Sequence, residues 1–375
     1  MIAFALVLAV LCIAYANGAN DNFKGVATLF GSGTTNYRAA LGWATVMTAL
    51  GSLTAVVLAG QLLKSFSGKG LVDAQLVGDP RYAACVALGA GLTVLLATKI
   101  GMPISTTHSL VGSLIGTGLA AGSPIYFNRL GAKFVLPLLL SPILAIVITG
   151  LLYPVLRYLR TRMGVTENTC FCVGDETVET VPALDGASAL QRVEELRTEL
   201  SIEVNDAISC QRRYEGRVLG IDAATILDKL HFLSAGTVSF ARGLNDTPKM
   251  AALLLMLPAF SPVTGLALVG IVIAVGGIVS ARRVAETMSN KITDMNNGQG
   301  FTANLVTTVV VAGASRLGLP VSTTHVSCGS LFGIGIATRG GHWKTIGIIL
   351  GSWLLTLPCG ALLGAGGWLV LNRLT

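Results

Sequence analysis

Charge is what this chain has least of. Of 375 residues only 12% are Asp, Glu, Lys or Arg, about half the share found in an ordinary soluble domain. Acids are scarcer still: outside the stretch from Arg160 to Asp228 there are only six, Asp21, Asp73, Asp79, Asp246, Glu286 and Asp294. A body that meets water on all sides is thereby excluded. Strict alternation of apolar and polar residues is also missing, which excludes a transmembrane β-barrel. The seven cysteines are scattered, and Cys170-Phe-Cys172 has no second pair to complete a four-ligand zinc site. No helix-turn-helix, zinc finger, phosphate loop or dinucleotide fingerprint occurs, so neither nucleic acid nor ATP is implied.

What fills the chain instead is apolar. Hydrophobic residues make up 52%, with 45 glycines and a positive mean hydropathy of +0.70. Apolar runs that reach or approach the ~20 residues of a spanning helix lie near 1–16, 39–63, 82–98, 133–156, 226–241, 262–281, 303–314 and 345–371. The last of these is expected to be two helices broken near Pro358. The first, which small residues at Ala16-Asn-Gly-Ala19 liken to a signal peptide, is expected to be membrane structure instead, since no positive segment precedes it and its counterpart at 226–241 is internal. The sequence therefore predicts an all-α, polytopic integral membrane protein.

The formal net charge of +7 hides two opposite parts. Thirteen acids against seven arginines between Arg160 and Asp228 make that stretch negative, and the rest is strongly basic. A basic membrane body suits an anionic cargo, but cytoplasmic Lys and Arg that orient helices produce the same count. The chain divides into a membrane repeat at 1–159, a polar loop at 160–228 and a second membrane repeat at 229–375. Arg157, Arg160 and Arg162 close the last helix of the first repeat and place the loop in the cytoplasm. Leu190, Val193, Leu196, Leu200, Val204 and Ile208 fall at helical spacing and predict one amphipathic helix, docked on the body or paired with a second copy as a homodimer.

Two motifs occur twice, in the same order. Gly101-Met-Pro-Ile-Ser-Thr-Thr-His108 returns as Gly318-Leu-Pro-Val-Ser-Thr-Thr-His325, with ten identities in sixteen positions through Gly116 and Gly333. Gly18-Ala-Asn20-Asp21-Asn-Phe-Lys24 returns as Gly243-Leu-Asn245-Asp246-Thr-Pro-Lys249. The chain is an internal duplication, and its period is far too long for a solenoid.

Asn17-Gly18-Ala-Asn20-Asp21 interrupts an apolar run with residues that favour turns, which predicts a discontinuous helix beside a cavity. Asn20, Asp21, Asn245 and Asp246 offer carboxylate, amide and backbone oxygens, the ligand set of a hard cation such as Na⁺, and a lone carboxylate carries H⁺ equally well. The plainer alternative is that they cap helix ends. Lys24 and Lys249 lie one turn beyond, either paired with the Asp or snorkelling to the headgroups. Pro103 and Pro320 stop a helix just before Ser-Thr-Thr, and the glycine-rich apolar segment that follows is short, as in a re-entrant half-helix.

Hydroxyls and free N–H groups at such a helix start form a site for an oxyanion without any buried Arg; a single N-cap is the plain alternative. His108 and His325 are packing residues, hydroxyl-orienting donors or proton-sensitive gates. A Ser-His-Asp hydrolase is not supported, because adjacent Ser and His cannot face each other as a triad requires. An enzyme is not expected.

On these two motif pairs, the chain resembles the inorganic phosphate transporter (PiT) family of secondary transporters, over most of both halves. The resemblance implies inverted repeats with re-entrant hairpins, and symport of phosphate with Na⁺ or H⁺ by alternating access across the plasma membrane. It places substrate at Ser105, Thr106, Thr107, Ser322, Thr323 and Thr324, and the coupling ion at Asn20, Asp21, Asn245 and Asp246, with Lys24, His108, Lys249 and His325 around them. Sulfate is the alternative cargo, since some relatives carry it. No cofactor, and no metal beyond the coupling ion, is expected; membrane lipids are the other partners. Leu244, where the first repeat has Ala19, departs from the pattern and implies two ion sites of unequal strength.

Overall fold

A computed structural model of the chain describes residues 1–58, 60–66, 71–166, 169–175, 200–206 and 221–374. Two compact units emerge, a membrane body of Met1–Pro154 with His231–Thr375 and a smaller unit, Val155–Leu230.

Among the described residues, ten principal helices carry the fold. The first repeat supplies α1 (Ile2–Asp21), α2 (Tyr37–Leu58), α3 (Pro80–Lys99), α4 (Thr106–Ala120) and α5 (Leu136–Arg162). The second supplies α6 (Ala223–Leu254), α7 (Pro262–Ser280), α8 (Asn297–Arg316), α9 (Thr323–Thr338) and α10 (Trp343–Leu374). Shorter helices, among them Ala27–Gly31 and Arg282–Asn290, join them. Among the described residues, six helices are long and apolar enough to cross a membrane: α1, α2, α3, Phe127–Arg162, α7 and Trp343–Arg373. α6 and α8 are not, because they bury Arg242, Asn245, Asp246 and Lys249, and Thr302, Asn304 and Thr307, among their apolar residues. α4 and α9, 15 and 16 residues long, fall short of the ~20 needed to span.

The repeated motif is a helix stop followed by a restart. Gly101 and Gly318 adopt left-handed φ of 74° and 69°, which costs glycine nothing. The next N–H in each case bonds five residues back, Met102 to Ala97 and Leu319 to Ala314, both at 2.9 Å, and so closes α3 and α8. Pro103 and Pro320 prevent the helix from resuming. Ser105 and Ser322 then cap α4 and α9, accepting from the N–H of His108 at 3.0 Å and of His325 at 3.1 Å.

The repeats are not side by side but interlocked. A Cβ at Gly18 would lie 2.0 Å from the Ile273 carbonyl oxygen on α7, and one at Gly243 would lie 2.2 Å from that of Thr48 on α2. Gly276 abuts Tyr15 in the same way that Gly51 abuts Phe240. Each of these contacts occurs twice with the repeats exchanged, the signature of a two-fold relation. The last helix of each repeat also packs on the other repeat's half-helix: Gly112 and Gly116 meet Leu357 and Ala361 of α10, while Gly329 and Gly333 meet Pro142 and Ile146 of α5. Small residues let these backbones touch.

Three local expectations are corrected. α1 runs through Asn17–Asp21 and ends there, the interruption falling at Asn22–Val26, and α6 continues unbroken past Asn245 and Asp246 to Leu254. The polar side chains bond other side chains, on their own helix and on neighbouring ones, so they do not compete with their own backbone. α10 is one helix through Pro358. In the smaller unit Leu200–Asp206 is a strand, not helix, and with Thr169–Asp175 and Ile221–Asp222 forms an antiparallel sheet in which Phe171 pairs with both Val204 and Ile221. Leu200, Ile202 and Val204 alternate with polar residues, and an i, i+4 pair such as Leu200 and Val204 fits a period of two as well as one of 3.6. The rest of the expected amphipathic helix, 190–199 and 207–208, lies outside the described residues, as do the side chains of Cys170 and Cys172.

Candidate functional site

The two Ser-Thr-Thr starts and the two Asn-Asp pairs converge on one buried cluster. Asn20, Asp21, Lys24, Ser105, Thr106, Thr107, Asn245, Asp246, Lys249, Ser322, Thr323, Thr324 and His325 are all buried, and His108 is half-buried. Lys24 and Lys249 make buried ion pairs: Lys24 with Asp21, and Lys249 with Asp246 at 3.1 Å. Snorkelling is excluded.

The three hydroxyls of each triplet do different jobs. The first, on Ser105 or Ser322, caps the helix. The second donates to the carboxylate of its own repeat, Thr106 to Asp21 at 3.1 Å and Thr323 to Asp246 at 3.0 Å. The third crosses between repeats: Lys24 donates to Thr324 at 2.6 Å, and Lys249 donates to Thr107 at 2.8 Å. Each of these threonines in turn donates to a carbonyl in the opposite hairpin, Thr324 to Ile104 at 2.8 Å and Thr107 to Val321 at 3.4 Å. Both lysines reach the same carbonyls, Ile104 at 3.0 Å and Val321 at 2.8 Å. Around the two-fold relation, a lysine, a threonine and a carbonyl thus meet on each side.

Further bonds hold the asparagines. Asn20 donates to Thr98 on α3 at 2.9 Å, and Ser315 on α8 donates to Asn245 at 3.2 Å, again equivalent positions. His325 stacks on Trp353 with centroids 3.9 Å apart, and its ring lies 4.4 Å from that of His108. His108 Nδ1 is 3.1 Å from the Ser105 hydroxyl. The pair packs the two half-helices and orients the cap, while Trp353 ties α10 to the Pro103 carbonyl at 3.0 Å. Beside Lys24 is a cavity of about 10 Å³ lined by Thr28, Asn304, Thr307 and Ser327, room for about one water. The equivalent positions on the other side are Leu253, Ala87, Ala90 and Leu110, so polar lining flanks the cluster on one side only.

Arg242 is the residue that sequence reasoning missed. It is 1% exposed, and it donates to Asn22 at 3.0 Å and to Asn17 at 3.2 Å, with its Nε 3.9 Å from Asp246. The anion site was expected to have no buried Arg, and this one is spread over a carboxylate and two amides rather than left free. Aligning the repeats would have found it, since Arg242 stands opposite Asn17. The cluster therefore holds two carboxylates and three cations, one formal positive charge in excess. Among the described residues, no group of three His, Cys, Asp or Glu forms a metal site.

The sequence matches the phosphate transporter family over residues 17–364. The chain belongs to that family. It is 30% identical to a Pyrococcus abyssi protein with the provisional name phosphate permease, over 95% of this chain and 94% of that one. It is 28% identical to the chloroplast inorganic phosphate transporter 2-1 of Arabidopsis thaliana, over 97% of this chain and 71% of that one. A solved structure described as the sodium-dependent phosphate transporter superposes over the whole of both chains with a TM-score of 0.75 at 22% identity. That likeness shows the fold: this member of the phosphate transporter family is an integral membrane protein built on a transporter scaffold.

Proposed function

We propose that the protein is a secondary active transporter that moves inorganic phosphate together with a monovalent cation, Na⁺ or H⁺, by alternating access. The observation that carries this is the crossed pair of Lys24 with Thr324 and Lys249 with Thr107. Two ammonium groups, two hydroxyls and the N-termini of two half-helices face one buried locus, a donor set matched to a tetrahedral oxyanion. In this reading phosphate oxygens accept from the lysine and threonine that now bond each other. Ser105 and Ser322 fix the helix starts, and Thr106 and Thr323 hold the carboxylates that serve the coupling ion.

Asp21, with the amide oxygen of Asn20 and the Thr106 hydroxyl nearby, supplies hard-cation donors; Asn245 and Asp246 are the equivalent residues of the second repeat, flanked there by Arg242 as well as Lys249. The exchanged contacts support inverted repeats that rock about this locus. Arg157, Arg160 and Arg162 support a cytoplasmic loop in a plasma-membrane protein.

The test is uptake of radiolabelled phosphate by proteoliposomes under imposed Na⁺ or proton gradients. Concentrative uptake that follows one gradient, and is lost in Asp21→Asn, is the expected result. Phosphate flux indifferent to every cation gradient would sink the symport, and preferential uptake of sulfate would reassign the cargo.

A further inference from the structure

The Asn-Asp pair, the lysine and the Ser-Thr-Thr of the two halves match position for position, but the residue one helical turn before each Asp does not. Asn17 and Arg242 are equivalent, each four residues before its Asp and so on the same helical face, and they touch each other across the repeats. Asn17 donates its amide to Asp21 at 2.9 Å and to Thr106 at 3.0 Å. Arg242 instead brings a guanidinium toward Asp246, with an Nε that has no hydrogen-bond partner. Asp21 is thus in direct contact with one cation, Lys24, and meets the Arg242 guanidinium only through Asn17, whereas Asp246 is flanked by two, Lys249 and Arg242.

We infer that Arg242 is a built-in substitute for a coupling cation in the second repeat, so that only the Asp21 half takes a transported ion. With Lys24 in place the Asp21 half is neutral, and the Asn17 amide and the Thr106 hydroxyl both donate to the carboxylate. A monovalent cation bound there brings it to the charge that the Asp246 half already has. A cation approaching Asp246 meets an ammonium and a guanidinium at once, and the repulsion is strong in a buried site. The phosphate then sits between one exchangeable and one permanent positive charge, and each phosphate moves with one cation fewer than a symmetric carrier would need. Arg242 here is a positioning and stoichiometry-setting residue, and the inference rests on the cation-coupled reading above.

Replacing it by its repeat-one equivalent, Arg242→Asn, tests this directly. In proteoliposomes voltage-clamped with potassium and valinomycin, the potential at which net phosphate flux reverses under a fixed Na⁺ or proton gradient reports the cations moved per phosphate. Arg242→Asn is expected to move one more cation than the natural protein and to depend more steeply on its concentration, while Arg242→Lys keeps the natural ratio. Where Arg242→Asn folds but does not transport, calorimetry with NaCl or measurement of proton uptake by the detergent-purified protein replaces flux, and an additional cation bound is expected.

An unchanged ratio in Arg242→Asn, no additional cation bound, or the same change in Arg242→Lys overturns the inference. Natural protein that ignores all cations would instead overturn the symport on which it rests, and the two failures are read from different samples.

Discussion

Thr107 and Thr324 each hold a lysine of the other repeat with one hydroxyl and leave no charge of their own in the site. On the proposed function the grip has to be releasable, and a neutral donor beside a buried ammonium suits that. Thr107→Val and Thr324→Val keep the shape and remove the donor. Losing a hydrogen bond to a charged partner costs about 1.5–3 kcal/mol, so each is expected to weaken phosphate binding about ten- to a hundred-fold, measured by calorimetry in detergent.

The lysines behave differently, because they balance buried carboxylates. Lys24→Met leaves Asp21 without its ammonium and is expected to cost about 3–5 kcal/mol of stability, read as a lowered melting temperature. Adding Asp21→Asn to Lys24→Met should recover most of it, and equal losses in the single and double variants would show that the pair does not matter to folding. The hydroxyls and carboxylates were legible in the sequence because they are repeated. Their pairing was not, since Lys24 and Thr324 are 300 residues apart and no local pattern connects them.

Helices begin and end where short-range chemistry says they should when the cue is strictly local. Gly101, Pro103 and Ser105, and again Gly318, Pro320 and Ser322, end one helix and start the next by their own backbone preferences, and the half-helices follow directly. Asn17–Asp21 misled for the opposite reason: turn-favouring residues were read as a break, but their side chains bond other side chains, on their own helix and on neighbouring ones. Leu200–Asp206 misled because its spacing fits two periods. Contacts between elements give a signed prediction. A Cβ at Gly116 would lie 2.0 Å from the Ala361 carbonyl, whereas at Gly351 on α10 nothing lies within 4 Å. Gly116→Ala is therefore expected to destabilise by about 1–3 kcal/mol through overpacking, and Gly351→Ala to stabilise by roughly 0.5–1 kcal/mol through helix propensity. Matched thermal melts in one detergent compare them, and like-signed shifts would refute the close approach of α4 and α10.

As a whole the molecule is two copies of one plan locked through exchanged helices, so that neither repeat owns a complete site. Duplication was plain in the sequence, and so were the apolar runs that carry most of the helices. The exchange was not, because it depends on which glycine faces which carbonyl across the interface. Its consequence is that each carboxylate is connected to the other repeat, Asp21 through Lys24 to Thr324 and Asp246 through Lys249 to Thr107. In the proposed symport, a cation that satisfies Asp21 would release Lys24 toward phosphate, and a phosphate that draws Lys24 away would leave Asp21 in need of a cation. Positive coupling follows, and it has to be mutual, because the free energy that links two ligands is the same in either order of binding. Calorimetric titrations of phosphate at several Na⁺ concentrations or pH values, and of Na⁺ at several phosphate concentrations, are expected to give the same enhancement factor, about 5- to 150-fold for a coupling of about 1–3 kcal/mol. Thr324→Val should lower that factor more than it lowers cation affinity measured alone, because it breaks the connection from Lys24 on the anion side. Independent binding of the two ligands would show that Lys24 does not carry the linkage.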